Sequence, residues 1–204
     1  MTDKYFTKLN LRCHLKAPEN YSKQLKAALH EENVYKLSQD VIGKHPNEIH
    51  NCYVVFISNP SRTIPLWRQR AGKDEDKLVI WDYHVIFLYH PEPEKCLVYD
   101  LDSELPFPTY VHKYITETFR TDHILKPDYF RYFRVVAATE FLKEFASDRR
   151  HMKRSDGTWI KPPPNYSAIK TTASDHNLED YIQMDTSKRA RSGIKLDTVC
   201  AEVL

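Results

Sequence analysis

The chain has 204 residues, 41% of them hydrophobic, which is enough to bury one sizeable core as a single domain over 1–204 and excludes a disordered polymer. Its 30 basic side chains against 28 acidic ones leave a formal net charge of +2, too small a field to draw nucleic acid or a membrane surface by itself. Four glycines are too few for a phosphate-cradling dinucleotide or Walker loop, and no such spacing occurs.

In chain order, Tyr21, Leu25, Leu29, Leu37 and Val41 recur at helical spacing, with Asn20 able to cap and Gly43 able to stop, and predict a helix over 21–42. Val, Ile and aromatic residues fill 52–58, Asn59-Pro60-Ser61 is a turn, and 63–69 is a proline-interrupted extended run that should pair with the first. Residues 71–76 form a polar loop, after which 78–89 is too β-branched and aromatic for a surface helix and reads as a strand. Pro91-Glu92-Pro93-Glu94 ends it, and 96–100 follows as another strand. Thr109 should cap a short helix through Phe119, 130–136 reads as a strand, and Thr139 should cap a helix through Phe145. Beyond Ser147 the chain turns polar and irregular, apart from a helical turn or two at 177–183. This order predicts an α+β domain with a mostly antiparallel sheet and flanking helices.

The cysteines Cys13, Cys52, Cys96 and Cys200 are widely spaced, without the close pairing of a zinc ribbon or redox motif. Cys52 and Cys96 sit in apolar strands and read as buried small hydrophobes. Residues 1–10 are polar and charged where a signal peptide needs an apolar run, and nowhere do about eighteen apolar residues follow one another. The expectation is a monomer in a reducing compartment, cytoplasm, nucleus or both, with no membrane and no nucleic-acid partner. The basic runs at 149–154 and 188–191 lack interleaved base-stacking aromatics and read as solvated surface.

One constellation carries chemistry. Alternation along 78–89 puts Ile80, Asp82, His84, Ile86 and Leu88 on one face, and Trp81, Tyr83, Val85 and Phe87 on the other. In the next strand Cys96, Val98 and Asp100 share a face, and a hairpin centred near Glu92 sets Asp100 directly opposite His84. Paired residues on one face have Cβ atoms about 5 Å apart, so the carboxylate can accept the imidazole N–H and choose its tautomer. That is the His–Asp half of a nucleophilic triad, or equally a structural pair on a half-buried sheet.

The segments Glu31-Glu32-Asn33-Val34-Tyr35-Lys36-Leu37, Cys52-Tyr53-Val54-Val55-Phe56-Ile57-Ser58, Trp81-Asp82-Tyr83-His84-Val85 and Tyr99-Asp100-Leu101-Asp102 occur in consistent order. Leu105-Pro106-Phe107-Pro108 and Phe145-Ala146-Ser147-Asp148-Arg149 with His151-Met152 follow them. Together, over about residues 30–184, they resemble the protein N-terminal glutamine amidohydrolase family. The resemblance implies a papain/transglutaminase-like core, a Cys–His–Asp triad, and no cofactor or metal. The substrates it implies are proteins or peptides with an N-terminal glutamine, deamidated to glutamate for the arginylation branch of the N-degron pathway. By position the family's histidine is His84 and its aspartate Asp100.

The family's nucleophilic cysteine precedes Glu-Glu-Asn, and here that position is His30. The ends, 1–29 and 185–204, are atypical of the family. Two explanations follow: foreign end segments on a well-matched middle, or a pseudoenzyme that has lost its thiol and survives as a binding module for N-terminal glutamine. The substrate's α-ammonium needs an acidic pocket, for which Asp82, Glu31 and Asp102 are candidates, each equally readable as a surface or structural carboxylate. His30, His84 and Asp100 also form a ligand set that suits a metal by type, although the resemblance accounts for the same residues without one.

Overall fold

The structure is a computed structural model and describes residues 30–92, 95–160 and 162–184, with the backbone of 194–195. Its elements are helix α1 (His30–Lys44), a 3-10 helix (Pro46–Asn51), and strands β1 (Cys52–Ser58), β2 (Ile64–Leu66), β3 (Val79–Trp81), β4 (Tyr83–Glu92), β5 (Lys95–Tyr99) and β6 (Thr109–Tyr110). Helix α2 (Val111–Tyr114), strand β7 (Tyr132–Ala137), helices α3 (Ala138–Glu144) and α4 (Leu178–Ile182) and strand β8 (Ile194–Lys195) follow, with a π-turn (Ile115–Phe119) and short 3-10 turns between them. Six strands form a sheet in the order β6-β5-β4-β1-β7-β8, every described pair antiparallel, and β2 and β3 form a separate two-stranded sheet. The architecture is therefore α+β with a mostly antiparallel sheet and flanking helices. No described helix is long and apolar enough to cross a membrane.

Both faces of the sheet are covered, so its central strand β1 is apolar almost throughout rather than alternating. On one face Val34, Leu37 and Val41 of α1 and Phe141 of α3 pack with Val54, Phe56, Val85 and Phe87. Tyr181 of α4 adds its ring to Phe56, Phe141 and Phe145. On the other face Val55, Ile57, Ile86, Leu88 and Val98 pack against Ile64, Leu66, Tyr114 and Phe119. This second layer belongs to β2, α2 and the π-turn Ile115–Phe119. It is tied down by Arg131, whose buried guanidinium donates to Pro65 O and Phe119 O and pairs with Asp122.

Several expectations are corrected. The predicted helix runs through Gly43 to Lys44 and ends where His45 N–H bonds Val41 O ahead of Pro46, while its predicted part before His30 lies outside the described residues. The run at 63–69 supplies only Ile64–Leu66, and these pair with β3, since β1 is already flanked by β4 and β7. The single strand expected over 78–89 is two strands broken at Asp82, whose side chain accepts from its neighbour's N–H, Tyr83 N. From Tyr83 onward the alternation holds, but Trp81 is released from the face assigned to it. Neither predicted threonine cap forms: Thr109 lies in β6 and Thr139 inside α3, and no side chain caps either helix. The hairpin register also moves, since Phe87 pairs with Tyr99 rather than Leu97. Arg149, expected on the surface, is buried. Cys13, Cys200 and the basic run at 188–191 lie outside the described residues.

Adjacent acids on α1 enter the interior in different company. Glu32 receives two hydrogen bonds from Arg149, Nε to Oε1 at 2.6 Å and Nη2 to Oε2 at 2.9 Å. Arg149 also donates to Tyr166 O and Ser167 O, locking the segment after α3 onto α1. Arg149→Ala would strand the fully buried Glu32 carboxylate, and we expect a loss of about 3–5 kcal/mol in urea unfolding.

Candidate active site

Asp100 follows the last residue of β5, and its four hydrogen bonds define the site. Oδ1 accepts from His84 Nε2 at 3.0 Å and from Asp102 N–H at 2.9 Å. Oδ2 accepts from Tyr114 Oη at 2.7 Å and Gln69 Nε2 at 3.3 Å. The displaced hairpin register preserves this contact because a two-residue shift leaves each side chain on its own face. His84 and Asp100 then meet diagonally, within side-chain reach, instead of directly opposite.

Burial pushes the Asp100 carboxyl pKa up. The His84 charge and hydrogen bond, with those from Tyr114 and Asp102 N–H, outweigh burial and hold it well below the usual carboxylate range. For His84, burial favours the neutral ring, yet the charge and hydrogen bond of Asp100 and the charge of Asp102 prevail and raise its pKa. With Nε2–H given to Asp100, the neutral ring presents its lone pair at Nδ1. Among the described residues that buried nitrogen has no hydrogen-bond partner.

His30 on α1 faces this imidazole, with ring centroids 4.8 Å apart at 63°. Its Nδ1 lies 2.7 Å from Asp102 Oδ2. Trp81, freed by the break at Asp82, stacks on His84 at 5.5 Å and meets His30 edge-on at 4.7 Å. Its indole Nε1–H donates to Gln69 Oε1 at 3.2 Å, so Gln69 joins the indole to Asp100. Backbone bonds from Arg70 N to Asp102 O and from Glu104 N to Arg68 O fasten the turn carrying Asp102 to the loop carrying Gln69.

The structure thus brings together His30, His84, Asp100 and Asp102, while Asp82 is exposed and points its carboxylate at its own turn. Glu31 is fully buried, with Oε2 accepting from Tyr83 Oη at 2.8 Å and Oε1 3.4 Å from His151 Nε2. The ligand-type group of two histidines and a carboxylate has Asp102 as its acid, because Asp100 serves the other nitrogen of His84. Sequence reasoning missed Tyr114, Gln69 and Trp81 as site residues. Nothing in their spacing marks them, since the helix, loop and strand end that deliver them are brought together only by the fold.

The described thiols are remote from this centre. Cys52 sits five residues along β1 from Ile57, the partner of His84, roughly 17 Å away. Burial pushes both Cys52 and Cys96 up to about 12, so both stay protonated. Both are the buried apolar residues that the sequence suggested.

A buried imidazole oriented by an ionised aspartate, with a helix-borne side chain against its ring, can take up and return a proton as the acid–base group of a hydrolase does. Comparison with known proteins identifies the family: residues 26–202 match the family described as N-terminal glutamine amidase, and the chain belongs to it. It is 57% identical over 158 residues to a protein N-terminal glutamine amidohydrolase of Drosophila mojavensis, covering 78% of this chain and 77% of the relative. The correspondingly named proteins of Drosophila ananassae and Drosophila pseudoobscura pseudoobscura are each 56% identical over 158 residues, with the same coverage, 78% and 77%.

Burial, only partly offset by the Tyr83 hydroxyl and nearby groups, raises Glu31 from its ordinary 4.5 to about 7. Between these values the folded chain holds a proton that the unfolded chain has released, so stability falls as pH rises. We expect wild-type unfolding free energy to fall by roughly 3 kcal/mol relative to Glu31→Gln from pH 4.5 to pH 7, read from urea titrations.

Proposed function

We propose that this chain hydrolyses the side-chain amide of an N-terminal glutamine in proteins or peptides, leaving an N-terminal glutamate and ammonia. The observation that carries the reading is the buried His84–Asp100 pair, its Nδ1 unpartnered among the described residues and its ring 4.8 Å from that of His30, in a chain over half identical across 158 residues to proteins named for this reaction.

A Cys–His–Asp triad would use a thiolate at position 30, with a γ-glutamyl thioester as the intermediate. Here that position is an imidazole, so the attacking group is water. His84 Nδ1 takes a proton as the water oxygen bonds to the amide carbon, and Asp100 stabilises the resulting imidazolium. The tetrahedral intermediate then collapses as His84 returns the proton to the departing nitrogen, breaking the C–N bond and freeing ammonia.

The papain/transglutaminase-like core is part of the same reading. What supports it is the sequence of parts: a helix carrying position 30, an adjacent strand carrying His84, and Asp100 at the end of the next. So are a monomeric enzyme of the cytoplasm or nucleus, without membrane or nucleic-acid partners, and a product that feeds the N-degron pathway. The histidine at position 30 favours one alternative, a module that binds N-terminal glutamine without turning it over.

Ammonia release from a peptide beginning with glutamine, against the same peptide acetylated, tests the proposal; release from the free peptide alone is expected. His30→Cys should raise kcat/KM at least about tenfold, about 1.4 kcal/mol of barrier. No release from either form would overturn the reading, and peptide binding without release would assign the module. In the active protein kcat/KM should rise with pH through a step above the ordinary histidine value of 6.5, because the base must be unprotonated and its pKa is raised.

A further inference from the structure

We propose that His30, His84 and Asp102 form a binding site for a divalent transition cation of the zinc type. Their candidate donor atoms all lie within 4.8 Å of one another, the one such group of histidine, cysteine or carboxylate ligands among the described residues. A tetrahedral centre with bonds of about 2.1 Å spaces its donors about 3.4 Å apart. The 2.7 Å between His30 Nδ1 and Asp102 Oδ2 lies below that spacing and the 4.8 Å span above it, so shifts of about 1 Å would seat an ion.

Two independent features point to a ligand. His84 is fully buried and, among the described residues, its Nδ1 is unpartnered, an arrangement that costs free energy unless something meets the lone pair. Its opposite nitrogen donates to Asp100, which Tyr114, Gln69 and Asp102 N–H hold in turn. A metal-bound histidine is oriented in this way, its second N–H given to a carboxylate that fixes ring and tautomer. Two imidazoles with one carboxylate suit zinc, iron(II) or cobalt(II) and leave further coordination positions for water. The histidine at position 30 makes the set, since it adds a second imidazole beside His84.

The proposal goes beyond the amidohydrolase reading and does not depend on it, because the readout is the bound ion; a seated ion takes the His84 Nδ1 lone pair that the reading uses as its base, so the two describe the loaded and the stripped site. Untagged full-length protein is stripped with a chelator and titrated with Co²⁺, following visible absorption. Saturation at a single cobalt per chain is expected, with Asp102→Asn weakening binding at least about tenfold. His30→Cys should keep the site and add a sulfur-to-cobalt charge-transfer band in the near ultraviolet. If Asp102→Asn fails to fold by circular dichroism, that band decides the matter. Absence of saturable uptake by the parent chain, or a His30→Cys spectrum unchanged from the parent's, would overturn the proposal.

Discussion

An aspartate with no access to water stays ionised only if the protein supplies what water did, and Asp100 obtains this from four directions. A strand gives it an imidazole, a short helix a phenol, a loop a carboxamide and its own turn a backbone N–H. Much of the second layer can be understood from this requirement. Loop 67–70 must lie against the turn after β5, α2 must present Tyr114 inward, and the chain must break between β3 and β4 ahead of His84. Removing any donor would leave an ion short of solvation in a low-dielectric interior, where the penalty is largest.

The opposite face of the site shows the same constraint met differently. Glu32 is matched by a bidentate guanidinium, whereas its neighbour Glu31 has a phenol and a displaced imidazole and is pushed toward neutrality. One residue step around α1 turns the side chain by about 100°, which is why adjacent carboxylates meet such different surroundings. Both are buried beside His30, so the helix that carries position 30 is anchored by its own acids as well as by Val34, Leu37 and Val41.

The family resemblance and the local chemistry part at position 30. The surrounding scaffold orients His84 for acid–base work, and the side chain it faces is an imidazole where the family resemblance expects a thiol. An imidazole is bulkier, accepts or donates at two nitrogens, and here is held by Asp102 and wedged against Trp81. These properties remove the thiol that acyl transfer needs and set a second imidazole beside His84, while leaving the His84–Asp100 pair intact.

Local pattern alone was enough to read the α+β class, the strands at 52–58 and 96–100 to within a residue, and the common face of His84 and Asp100. Each rests on near-neighbour periodicity, and facing survives a two-residue slip in register. The family was legible because quoted segments such as Trp81-Asp82-Tyr83-His84-Val85 are specific in order and spacing. What stayed hidden depended on contacts distant in sequence. The break at Asp82, the stacking of Trp81 on His84, the burial of Arg149 against Glu32, and the recruitment of Tyr114 and Gln69 to Asp100 all join residues whose spacing carries no signal. Only the closed tertiary structure decides them, because only there is water removed from the charges and their partners chosen by what else can reach.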